Sequence, residues 1–144
     1  EMSASLVGSE MCIRDRAIVE QIETVTEFVN AELEKLDCPM KARIQLDIAI
    51  DEIVSNIAYY AYGEKTGTVT VRIEAFQEEN GVQLMFLDSG FPYDPLTRQD
   101  PDISAEIEER KEGGLGIFLV RKTMDDMKYE YKDGQNCLTI RKSF

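Results

Sequence analysis

Residues 68–76 alternate Val69, Val71, Ile73 and Ala75 with Thr70, Arg72 and Glu74, the period-two pattern of a half-buried strand. Asn80-Gly81 is a turn signal, and Val82, Leu84 and Phe86 then alternate again, so residues 68–88 read as a hairpin. A second pair of strands, 127–132 and 137–142, flanks Asp133-Gly134. Strands joined by tight turns must run antiparallel, because parallel neighbours need long crossovers. The predicted order of helix, helix, strand, strand, loop, helix, strand, strand therefore specifies an α+β two-layer sandwich. Its sheet is mixed or mostly antiparallel and is covered on one face by helices.

The helices carry their own signatures. Ile18, Ile22, Val25, Val29 and Leu33 mark an amphipathic helix over 18–36, which Asp37-Cys38-Pro39 ends because proline disfavours helical geometry before it. A second helix is predicted over 40–62, closed by Gly63. Its buried stripe is Leu46, Ile50, Ile53, Val54, Ile57, Ala58 and Ala61. Glu52 and Asn56 share another side, at roughly 200° from that stripe. Residues 96–112 are polar and interrupted by Pro101, which predicts a loop with one short helix near 104–110 and a solvated acidic run at Glu106-Ile-Glu-Glu109. Helical spacing returns over 116–126 through Ile117, Val120 and Met124. Met85, Phe86, Phe118, Met124 and Met127 read as core, while Tyr129 and Tyr131 share one strand face, either at the core edge or on a partner surface.

Residues 1–15 have weak periodicity, and Ser5 to Arg16 looks like translated adaptor read-through. This segment is read as non-native or disordered and set aside, leaving 16–144 as a single domain.

Composition narrows the function. At 144 residues the chain can bury a real core without metals or cross-links. No apolar run approaches the roughly 20 residues that a bilayer requires, so a soluble, cytoplasmic protein is expected, with no membrane association. A net charge of -12 argues against direct binding of nucleic acid and is compatible with a basic protein partner. Cys12, Cys38 and Cys137 lack the close spacing of a zinc or redox site. The absence of histidine removes histidine-based triads, His-ligated zinc and phosphohistidine from this chain.

Three stretches can carry chemistry, and each has an ordinary structural use as well. Glu52 and Asn56 read either as a solvated face or as a functional pair. In the second case the amide oxygen completes the shell of a phosphate-bound magnesium and the carboxylate acts on a hydroxyl. Asp88-Ser-Gly90 is either a strand-ending turn or a carboxylate that accepts from an exocyclic amine such as that of adenine. Gly113-Gly-Leu-Gly116 is either a hinge or a helix start whose amides meet an anion; it is not a Walker loop, since no GK[ST] follows.

Taken together, Glu-x3-Asn on a helix, Asp-x-Gly after a strand and Gly-x-Gly at a helix start resemble the Bergerat ATP-binding fold of the GHKL superfamily. The wording Asp51-Glu-Ile-Val-Ser-Asn56, Ala61-Tyr-Gly63, Asp88-Ser-Gly-Phe-Pro-Tyr-Asp-Pro95 and Gly113-Gly-Leu-Gly-Ile-Phe-Leu-Val120 is similar to that of the stand-alone anti-sigma serine kinases of bacterial partner switching. The resemblance covers roughly residues 16 to 144. It implies Glu52 as general base, Asn56 as the magnesium ligand and Asp88 as the adenine-reading carboxylate, with Gly90 giving the base room. It further implies Gly114 and Gly116 near the phosphates, and Thr139 as a hydroxyl near adenine.

The departures are Tyr60 where relatives carry histidine, Pro92 at the second glycine of Asp-x-Gly-x-Gly, and Glu112 where many carry a phosphate-binding arginine. Arg110 and Lys111 lie just before it and are the candidates for that role.

The resemblance thus implies an ATP- and Mg²⁺-dependent protein-serine kinase. It would phosphorylate an anti-anti-sigma partner of the STAS type and sequester a sigma factor, and it would form a homodimer. The alternative is a non-catalytic ATP-binding module that sequesters a partner. A detached histidine-kinase catalytic domain and a gyrase-type ATPase fit the chain less well.

Overall fold

The computed structural model describes residues 3–7, 10–62, 65–97 and 114–144. The chain opens with strands β1 (Ser3–Val7) and β2 (Glu10–Arg16). A 3-10 turn, Val19–Gln21, leads into helix α1 (Ile22–Lys35), and helix α2 (Met40–Asn56) runs on into a π turn, Ile57–Ala61. Strands β3 (Thr68–Ala75) and β4 (Gly81–Asp88) follow, then a 3-10 turn at Pro95–Thr97. Helix α3 (Gly114–Thr123) and strands β5 (Asp126–Lys132) and β6 (Gln135–Ser143) complete the described chain.

Local chemistry sets the boundaries. At the end of α1, Asp37 takes a left-handed φ of 54°, while the Cys38 N–H bonds the Leu33 carbonyl and the Asp37 N–H bonds that of Glu34, both at 3.1 Å. This is a Schellman stop, made without the usual glycine. Pro39 then supplies the extended residue from which α2 starts. Asp133 and Gly134 both have positive φ, 54° and 76°, as a two-residue turn matched to strand twist requires. The helix expected over 40–62 is present as α2 and its π turn; Gly63, the short helix near 104–110 and the acidic run at 106–109 lie outside the described residues.

The six strands lie in the order β1-β2-β3-β4-β6-β5, and every described pairing is antiparallel. Register decides which side chains meet. Val71, Phe86 and Leu138 stand across from one another on β3, β4 and β6, as do Ile73, Leu84 and Ile140. These six side chains are buried and belong to one core together with Val25, Val29 and Leu33 of α1 and Leu46, Ile50 and Val54 of α2. The helices therefore cover one face, giving the expected α+β sandwich. Phe86, Met124 and Met127 join or flank that core, whereas Met85 points to the other sheet face, where it pairs with Arg72 and Thr139.

Strand β2 comes largely from residues 1–15, the segment expected to be non-native or disordered. Its residues 11, 13 and 15 alternate with 12 and 14, Ile13 is fully buried, and it pairs with Val71 of β3. No described helix is long and apolar enough to cross a membrane.

Phe86 is the largest fully buried side chain among the described residues and sits at the middle of this face. Truncating it leaves a cavity that rigid strands cannot close. Phe86→Ala should lower unfolding free energy by about 3–5 kcal/mol, read as a fall in the urea midpoint without a change in slope.

Candidate functional site

The end of α2 and the start of the loop after β4 are fastened to each other. The Phe91 N–H donates to the Ala61 carbonyl at 2.6 Å. A side chain on Gly90 would overlap the Ala61 carbonyl, so glycine is what allows this backbone approach. Tyr62 adds a second fastening: its hydroxyl donates to the Thr68 carbonyl and accepts from the Ser89 N–H at 2.9 Å. Tyr60 stacks on Tyr93, with ring centroids 5.9 Å apart and planes at 27°. The last carbonyls of a helix have no partner within it, and here the loop takes up that of Ala61.

Between these elements lies a small, partly open cavity. Ile53, Ile57, Phe86, Ile117 and Leu138 make its walls apolar, while Asn56, Asp88 and Asn136 enter it as polar groups. Only four polar residues are buried among those described, and three of them are in this one place. An apolar chamber with a few convergent polar groups is the usual form of a ligand site.

The polar groups differ in how they are satisfied. The Asn56 Nδ2 is buried without a hydrogen-bond partner among the described residues. Asp88 is 5% exposed, and its Oδ1 accepts from Asn136 Nδ2 and from the Gly90 N–H, each at 2.9 Å. Burial nevertheless holds the Asp88 carboxyl above the ordinary carboxylate range, against the lowering effect of those two bonds. Glu52, one turn before Asn56, lies against α3: a Cβ on Gly116 would overlap its carboxylate. Desolvation, and then repulsion from Asp51, raises the Glu52 carboxyl as well.

Comparison with known proteins decides the family. Residues 16–142 match the family described as histidine kinase-like ATPase domain. The chain belongs to that family. This is the superfamily to which the order of motifs pointed. Among curated relatives, the Serine-protein kinase RsbW of Bacillus thuringiensis is 33% identical over 100 residues, which is 67% of this chain and 61% of that protein. The protein of the same name from Listeria monocytogenes is 33% identical over 94 residues, covering 62% of this chain and 59% of the relative. The matched stretch therefore spans about three fifths of the length of these curated relatives.

Within the histidine kinase-like domain, the expected site residues differ in where they lie. Asn56 and Asp88 line the cavity; Glu52 and Gly116 touch each other but are not among its lining residues, and Gly114 is the first residue of α3. Gly90 stands beside Asp88, but the space its missing side chain leaves is filled by Ala61. Arg110, Lys111, Glu112 and Gly113 lie outside the described residues.

Thr139 requires correction. Strand alternation turns Asn136, Leu138 and Ile140 inward and Thr139 outward, where it stands across from Met85 and beside Cys137. The β6 residue that enters the cavity with a polar group is Asn136, three positions earlier. The sequence did hold a signal for it: an amide occupies an inward position of a strand whose other inward residues are aliphatic. Tyr93 and Tyr129 also line the cavity. Tyr129 packs at the core edge, one of its two expected places, and lines the cavity as well.

Two stability measurements follow from this geometry. A carboxyl whose pKa is raised on folding contributes stability at low pH that is lost as pH rises through the folded value. Asp88→Asn should therefore hold or raise the thermal midpoint at neutral pH and flatten its decline between the ordinary carboxylate range and neutrality. Tyr62→Phe removes the hydroxyl that joins Thr68 to Ser89 and should cost about 1–2 kcal/mol in chemical denaturation.

Proposed function

We propose that this chain is an ATP-dependent protein-serine kinase that phosphorylates an anti-anti-sigma partner of the STAS type and acts as an anti-sigma factor by sequestering a sigma factor. The observation that carries the reading is the convergence of Asn56, Asp88 and Asn136 on one apolar cavity bordered by α3, in a chain similar to proteins named serine-protein kinase. Residues 16–144 are the working domain in this reading.

Each residue has a task that its surroundings support. Asp88 accepts from the exocyclic amine of adenine, and the apolar walls of the cavity enclose the base. The start of α3 at Gly114 directs backbone amides at the phosphates. Asn56 would hold a magnesium ion that arrives with the nucleotide through its amide oxygen, while its Nδ2, buried without a partner among the described residues, is left as a donor for the nucleotide. No group of three or more carboxylate or thiol residues that could cage a metal occurs among the described residues, and magnesium bound with phosphates needs few protein ligands. A bound magnesium ion would neutralise phosphate charge.

Glu52 is the base. Its carboxylate accepts the proton of the substrate serine hydroxyl as the serine oxygen bonds to the γ-phosphorus. The bond from that phosphorus to the β-γ bridging oxygen breaks, and ADP leaves. Burial raises the affinity of Glu52 for that proton, which suits a base working near neutral pH. The rest of the acceleration comes from positioning and charge neutralisation, as is general for phosphoryl transfer.

Transfer of label from γ-labelled ATP to a cognate antagonist tests the reading. Glu52→Gln should reduce transfer by about 10²–10⁴-fold while nucleotide affinity changes little. The wild-type rate should rise with pH through a value above the ordinary glutamate range, and that limb should vanish in Glu52→Gln. Equal transfer by wild type and variant would remove Glu52 from the reaction. Retained ATP and partner binding without any transfer by the wild type would establish a non-catalytic sequestering module instead.

A further inference from the structure

A buried side-chain amide has two donors and two acceptor lone pairs to satisfy. Asn136, 5% exposed, satisfies all of them within the protein. Its Nδ2 donates to Asp88 Oδ1 at 2.9 Å and to the Phe91 carbonyl at 2.8 Å. Its Oδ1 accepts from the Tyr93 N–H at 3.1 Å and from the Tyr129 hydroxyl. The donors and acceptors around it fix which way the amide points, since the reversed amide would set oxygen against carboxylate and NH₂ against N–H. Tyr129 is itself tied to the same loop, because its hydroxyl also accepts from the Tyr93 N–H at 3.2 Å.

The consequence falls on Asp88. Two donors, Asn136 Nδ2 and the Gly90 N–H, hold its Oδ1, and no described residue bonds Oδ2. The carboxylate is therefore pinned at one oxygen and presents the other to the cavity as an acceptor. A pinned acceptor meets the 6-amino donor of an aminopurine and opposes the 6-oxo acceptor of an oxopurine. A carboxylate free to swing could instead accept from the N1–H that an oxopurine carries. Leaving two buried acceptors face to face is what gives hydrogen-bonding sites their strong discrimination.

We propose that Asn136, oriented by Tyr129, is a positioning residue that fixes the Asp88 carboxylate and thereby sets the preference of the cavity for an aminopurine over an oxopurine nucleotide. This rests on the reading of the cavity as an adenine-nucleotide site. Asn136 acts through Asp88, and its influence is on which base is accepted and not on the transfer step.

The test is competition of ATP and of inosine triphosphate against a fluorescent ATP analogue, on the full 144-residue chain. Inosine triphosphate carries a 6-oxo group and an N1–H where ATP has the amine and an unprotonated nitrogen. Wild type should prefer ATP. Asn136→Ala should reduce that preference by about tenfold or more, and Tyr129→Phe should reduce it a few-fold in the same direction. A role limited to stability would weaken both nucleotides equally and leave the ratio unchanged. Should Asn136→Ala not fold by circular dichroism, the conservative Tyr129→Phe decides the matter. An unchanged ratio in the folded variants overturns the proposal while leaving the nucleotide site intact. Failure of the wild type to bind ATP would overturn the nucleotide-site reading, and this inference with it.

Discussion

The structure depends on the burial of one carboxylate. Asp88 ends β4 inside an apolar chamber, where an ionised group loses its hydration and gains only what the protein offers in return. What it receives is two donors on one oxygen. Both donors are tied in turn to the loop beyond β4: Gly90 through the backbone bond of Phe91 to Ala61, and Asn136 through Phe91 and Tyr93. Satisfying a single buried charge thus shapes the segment from Ser89 to Pro95 and docks it against the end of α2. The upward shift of the Asp88 carboxyl shows that compensation is incomplete. Residual cost at a buried polar group is a common mark of a site built for a ligand.

The same economy of parts is visible along α2. One helix supplies Leu46, Ile50 and Val54 to the core and, from another side, Asn56 to the cavity and Glu52 to the contact with Gly116. Its regular hydrogen bonding gives way to a π turn where it meets the loop, and the Ala61 carbonyl bonds the Phe91 N–H. Helix α3 approaches closely enough that a Cβ on Gly116 would displace the Glu52 carboxylate. A displacement of either helix would therefore be felt by core and cavity together, since packed interiors transmit small shifts.

Much of this was legible in the residues, for a physical reason. Period-two alternation in β3 and β4 and the spacing of α1 and α2 are local patterns, and the two hairpins favour an antiparallel over a parallel doubly wound sheet. The motif order pointed to the histidine kinase-like ATPase family, and the match over residues 16–142 bears that out. Thr139 shows where such reasoning stops. Whether a strand residue faces in or out depends on register, and a slip of one position exchanges the faces. The pairing of Asp88 with Asn136, and not with Thr139, is a fact of the β4–β6 ladder.

The sequence by itself determined the elements, their antiparallel order and the residue types available to the site, because periodicity, turn chemistry and short motifs act over a few neighbouring positions. Tertiary structure decided that Asn56, Asp88 and Asn136, separated by 80 positions from first to last, share one chamber. It also decided that Tyr129 and Tyr93 fix the amide which fixes the carboxylate. Those relations arise where strands from distant segments pair and a loop must satisfy buried polar groups across them. Hydrogen-bond satisfaction in a dry interior is a property of the assembled layers, which no local stretch of chain contains.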